Sequence, residues 1–149
     1  MKFLSDEITT VIPSRYPMMI LDSLEINEDK AVAEINLSKD IWFFKCHYPD
    51  QPMMPLMLLM ESMTQVFMAV LLQKANKKDE IPLIYSLGEV HPKGMLLPGD
   101  KVKLEAELKS FKRVFAKGIC RAYKNDEEEP ILQFNIVDIL PSIVSKIED

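Results

Sequence analysis

An α+β domain is predicted, with a strongly curved antiparallel sheet wrapped around one long central helix. Two patterns carry this expectation. Residues 101–108 alternate without a fault, Val102, Leu104, Ala106 and Leu108 on one face and Lys101, Lys103, Glu105 and Glu107 on the other. A half-buried antiparallel strand has that period. By contrast, the 23 residues from Gln51 to Gln73 carry a single charge, Glu61, and their apolar side chains point to every side of a helix. A helix that is apolar all round is buried in a protein or in a membrane. Here Glu61, Ser62, Thr64 and Gln65 interrupt the run, which falls short of the roughly 20 residues that a span requires. The sheet must therefore bury it.

The other elements follow in order. A short helix is predicted over residues 6–12, stopped by Pro13, and Pro13 and Pro17 make the next stretch irregular. Strands are predicted over 18–25 and 31–37 with a polar turn at 27–30 between them, and over 114–123 and 131–139 with the acidic turn Asp126–Glu129 between them. The central helix is predicted over 57–74.

The 149 residues suit one domain, 1–149. Net charge is −5, which argues against nucleic acid as a general partner. Two cysteines, Cys46 and Cys120, are too few for a disulfide framework. Asp6 and Glu7 stand where a secretory leader needs an apolar run, so a cytoplasmic protein without a membrane span is expected. Four glycines leave no room for a Gly-rich phosphate loop.

Candidate chemistry gathers at the start of the central helix. A lone carboxylate in an apolar helix is costly unless paired, so Glu61 is either a site carboxylate or one turned to a polar edge. His47 lies in a loop stiffened by Pro49, Pro52 and Pro55, where it is either an acid–base partner for Glu61 or a structural histidine. Pro55 suits a first helical turn, and the N–H groups of Leu56 and Met57 behind it lack helical acceptors and can stabilise charge on a carbonyl oxygen. These groups together suit removal of a proton beside a carbonyl, then loss of a neighbouring group. A metal centre is the competing constellation, but Cys46, His47, His91 and Cys120 have no ligand spacing, and adjacent side chains of extended backbone diverge. His91 is read as structural or exposed.

Residues 44–65, FKCHYPDQPMMPLMLLMESMTQ, resemble the signature of the hot-dog-fold 3-hydroxyacyl-acyl carrier protein dehydratases of the FabZ type. Residues 12–22, IPSRYPMMILD, and 97–102, LPGDKV, resemble two further blocks of that family, in order. The resemblance implies a hot-dog fold in a homodimer, possible assembly as a trimer of dimers, and an acyl chain held at the interface. It implies His47 as the base at C2 of a 3-hydroxyacyl thioester and Glu61, from the partner subunit, as the group that protonates or orients the departing hydroxyl. It places Leu56, Met57 and Gln65 around the substrate. No metal or organic cofactor is implied, and the partner is an acyl carrier protein. Three family glycines are here Cys46, Asp50 and Leu56; Leu56 could narrow the tunnel, and Asp50, if turned inward, would favour a charged His47. These changes, with Val90–Met95, leave a second reading open, a non-catalytic or thioesterase-like protein that binds acyl thioesters. The run Lys109–Lys124 holds six basic residues and no acid; it is either a docking patch for an acidic carrier or a solvated strand pair neutralised by Asp126–Glu129.

Overall fold

The computed structural model describes residues 1–77 and 79–141. Seven antiparallel strands form one sheet: β1 (Lys2–Leu4), β2 (Ser23–Asn27), β3 (Lys30–Asn36), β4 (Leu83–Leu87), β5 (Lys101–Lys112), β6 (Phe115–Lys124) and β7 (Leu132–Ile139), in the spatial order β1-β2-β3-β5-β6-β7-β4. The helix α2 (Leu56–Ala75) lies against β3, β5 and β6. Its 20 residues and its hydropathy meet the length and composition of a membrane span, and its side chains are instead spent on the core of the sheet. The expected α+β arrangement is present.

The centre of the core explains the glycine in β6. Gly118 faces Phe67 of α2, and a Cβ there would overlap both the Phe67 ring and the Glu107 carbonyl of β5. Helix and sheet therefore approach closely only because this position has no side chain. In β5 the alternation ends at Leu108, and a bulge between Leu108 and Ser110 lets pairing with β6 continue to Lys112.

Three expectations are corrected. The first helix is only α1 (Ser5–Ile8), because the hydroxyls of Thr9 and Thr10 bond back to the carbonyls of Asp6 and Glu7 and end it in turns. The strand expected from Met18 starts at Ser23 instead; the N–H groups of Met18 and Met19 both donate to the Arg15 carbonyl, closing a turn around Pro17. Two strands were not anticipated, β1 and β4, which are the two edges of the sheet.

Candidate active site

Four aromatic and basic residues, Trp42–Lys45, make a short 3-10 turn that buries Phe43 and Phe44. The His47 N–H donates to the Phe43 carbonyl at 2.9 Å, which ties the next loop to this buried anchor. Two reciprocal bonds then set the imidazole: Met53 N–H donates to the His47 carbonyl at 2.9 Å, and His47 Nδ1 lies 3.1 Å from the Met53 carbonyl oxygen. A carbonyl oxygen only accepts, so Nδ1 carries a proton, and in the neutral form of the ring Nε2 is the nitrogen with the lone pair. The Tyr48 ring stacks on the imidazole at 4.1 Å. His47 is thus fixed in tautomer and direction.

A cavity of about 360 Å³ opens beside it, walled by Met53, Met54, Leu59, Met95, Leu96 and Leu132. Its lining also includes Leu56 and Met57, the first residues of α2. Met54 N–H donates to the Leu96 carbonyl at 2.9 Å and closes one wall. Pro55 caps the helix without a side-chain bond, so the N–H groups behind it are the free donors of a helix start. An apolar pocket, an imidazole held through Nδ1 and backbone donors therefore meet at one place. That set can take a proton from carbon beside a carbonyl and hold the charge that develops on the oxygen.

Glu61 sits elsewhere in the chain's own geometry. It is half-buried, it accepts a hydrogen bond from Gln65 Nε2 at 2.9 Å, and no bond or ion pair joins it to His47 among the described residues. Glu61 is also absent from the lining of the cavity beside His47 in the same protomer. Gln65 is completely buried and is absent from the cavity lining, so it supports Glu61 and does not touch this pocket. Asp50 is exposed and forms no ion pair with His47 among the described residues. His91 is exposed, with Nε2 3.2 Å from Glu89 Oε2. Cys46 is exposed and Cys120 buried, its thiol pushed far up by burial.

The basic run divides. Lys109 pairs with Glu107 at 3.0 Å, Arg121 donates to Gln133, and Lys124 lies 3.6 Å from Asp100. Lys112, Arg113 and Lys117 have no ion pair among the described residues, and the acids at 126–129 neutralise none of the run there. One ionisable group escaped the sequence reading. Asp138 on β7 is buried, its Oδ1 meets no partner among the described residues, and burial pushes its carboxyl up to about 7. The signal existed, since Leu132, Phe134, Ile136 and Asp138 share one face of the strand.

A family model, the FabA-like domain, matches residues 12–131. The 3-hydroxyacyl-acyl-carrier-protein dehydratase FabZ of Clostridium perfringens is 38% identical over 104 residues, covering 69% of this chain and 75% of that one. The enzyme of the same name from Moorella thermoacetica is 34% identical over 122 residues, covering 80% and 85%. Among solved structures, the dehydratase heterocomplex ApeI:P from Xenorhabdus doucetiae matches with a TM-score of 0.73 at 12% identity, over 95% of this chain and 97% of that one. A hypothetical thioesterase with coenzyme A from Streptococcus pneumoniae TIGR4 matches with a TM-score of 0.60 at 8% identity, over 78% and 81%. At such identities the two structures speak for the hot-dog fold alone. The matched residues include His47, the start of α2 and Glu61, and the chain belongs to the FabA-like family, among its FabZ-type dehydratases.

Proposed function

We propose that this protein dehydrates (3R)-hydroxyacyl thioesters carried on an acyl carrier protein to trans-2-enoyl thioesters, in the cytoplasm, for fatty acid or related lipid synthesis. The observation that carries the reading is the tautomer of His47, held with Nδ1 on the Met53 carbonyl beside the open start of α2. Nε2 takes the C2 proton while the thioester oxygen, gaining charge, leans on the N–H groups of Leu56 and Met57. The C3–O bond then breaks, and Glu61 of a second subunit gives the hydroxyl its proton, so that water leaves. The side chain of Leu56 leaves its N–H intact, which removes the main support for a non-catalytic reading.

A shared site needs a dimer. Among the described residues strand β4 is a free edge, and Ile81, Leu83, Ile84 and Tyr85 around it are exposed. An apolar, unpaired edge is a template for a second strand, and pairing β4 with its copy would cover both. Pairing of such dimers into a hexamer stays within this reading. The carrier would meet Lys112, Arg113 and Lys117.

Hydration of a crotonyl thioester, the reverse reaction, tests the assignment directly. His47→Ala and Glu61→Gln are each expected to lose about 10²–10⁴-fold in turnover while melting near the unaltered protein. Near-normal turnover in either folded variant overturns the role given to that residue.

A further inference from the structure

Lys124 ends β6 on the side where a charge is out of pattern. Ala116, Gly118, Cys120 and Ala122 of that strand are buried on the core face, and alternation carries Lys124, which pairs with the buried Val102 of β5, onto the same face. Its ammonium leaves the core by turning to the strip that walls the cavity beside His47. Nζ donates to the Met95 carbonyl at 3.1 Å and lies 3.6 Å from Asp100 Oδ2. That carboxylate is itself held: Oδ2 accepts the Leu97 N–H at 2.8 Å, and Oδ1 accepts the Asn125 side-chain amide at 3.2 Å. The next carbonyl of the strip, that of Leu96, accepts the Met54 N–H at 2.9 Å. Two successive peptide groups of the wall are therefore gripped by different elements, one by the loop before α2 and one by the end of β6. Met95 and Leu96 both line the cavity. The Lys124 side chain is only 27% exposed, and a partly covered ammonium gives up solvation that a methionine would not. Packing at the end of β6 does not by itself call for a lysine.

We infer that Lys124 is a positioning residue that sets acyl-chain specificity: its ammonium fixes the Met95–Leu96 wall against which the chain beyond the reacting carbons packs. The inference rests on the dehydratase reading proposed above. An apolar wall tells chains apart by the contacts that each methylene makes, and those contacts are kept only by a wall that stays in place. Without the ammonium the Met95 carbonyl loses this donor and Asp100 loses a cation. The bond that sets the His47 ring runs to Met53 and does not involve Lys124. The effect therefore belongs to binding of the chain and not to the proton transfer.

Lys124→Met keeps the apolar stem and drops the ammonium. It is read by hydration of the N-acetylcysteamine thioesters of crotonate and of trans-2-octenoate, small substrates with no carrier, so a charge that only docks a carrier has no effect on them. The octenoyl-to-crotonyl ratio of kcat/KM should fall about tenfold, through KM, and Lys124→Arg, which restores a cationic donor, should recover most of it. A merely structural lysine would lower the melting temperature and leave the ratio where it was. A ratio that is unchanged or raised, a fall carried by kcat, or no recovery in Lys124→Arg overturns the inference. No hydration of either thioester by the unaltered protein overturns the dehydratase reading instead, so the two failures are distinguishable. Should Lys124→Met not fold, Lys124→Gln, shorter and uncharged, is read by the same ratio and the same criteria.

Discussion

At its N-terminal end α2 meets a proline-stiffened loop, a cavity and solvent, and Met57 is 72% exposed there; from Val66 to Leu72 every side chain but Met68 is at most 1% exposed. The first end carries polar groups that cost stability, among them an open helix start and a buried amide with an idle oxygen. The second is packed so closely that Phe67 requires a glycine opposite. The contrast teaches where each kind of change is felt. Changes at the start of the helix are expected to cost turnover and leave the fold, and changes in its middle to cost stability and leave the turnover of the folded protein.

The largest test of that contrast is Gly118→Ala. The added methyl meets the Phe67 ring and a backbone carbonyl, and overpacking of that kind costs about 3 kcal/mol at its usual upper end. Chemical denaturation should show the loss, while the folded fraction keeps its turnover per site. A neutral midpoint would mean that helix and sheet are less tightly apposed than Gly118 implies.

Asp138 sharpens the comparison next, because it is a buried acid at the end of β7 that pairs with Ala116 and Ile84, away from the cavity. Burial in the folded protein raises its pKa from 3.8 to about 7. The folded protein therefore keeps a proton that the unfolded chain has lost, and stability should fall as pH rises from about 4 to about 7, then level off. Asp138→Asn should flatten that slope and raise the melting temperature at pH 8. Melting curves taken across this window with no difference between the two proteins would refute the assignment of the slope to this group.

The smallest effect is expected at the β5–β6 tip. Lys112 and Arg113 stand there, about 23 Å along β6 from the level of Leu132 at the cavity, taking seven residues at strand rise. Reversing both charges should raise the apparent KM for a carrier-linked substrate, more at low salt than at high, and leave a small thioester mimic unaffected. Equal effects on both substrates would return the tip to a plain solvated hairpin.

Much of this was legible before the chain was folded. β5 shows itself through strict alternation, and α2 through a charge-poor run, because both signals are local and repeat at the period of the element. The prolines and free N–H groups single out His47 and the helix start as candidates, and the structure sets both against one cavity. The edge strands were not, since β1 has three residues and β4 places exposed apolar side chains on an edge that only a partner would cover. The strand expected at Met18 failed for a related reason: the bond of two amides to the Arg15 carbonyl outweighs local β propensity.

By itself the amino-acid order determined the central helix, the long strands and the residues able to do acid–base work, since periodicity, proline and side-chain chemistry act over a few positions. Strand alternation puts Asp138 on the apolar face of β7, but how far each carboxyl among the described residues is enclosed was decided by the tertiary structure. The sequence pattern singled out Glu61 because its neighbours along the chain are apolar, yet Glu61 lies at a half-open edge under the Gln65 amide, and Asp138 is the acid enclosed. Burial depends on what the remote elements β4 and β6 place over a side chain, and so does the bond from Gln65 to Met18, 47 positions away. The extent of that cover and the partner of Gln65 are not written in the spacing of residues along one strand or helix.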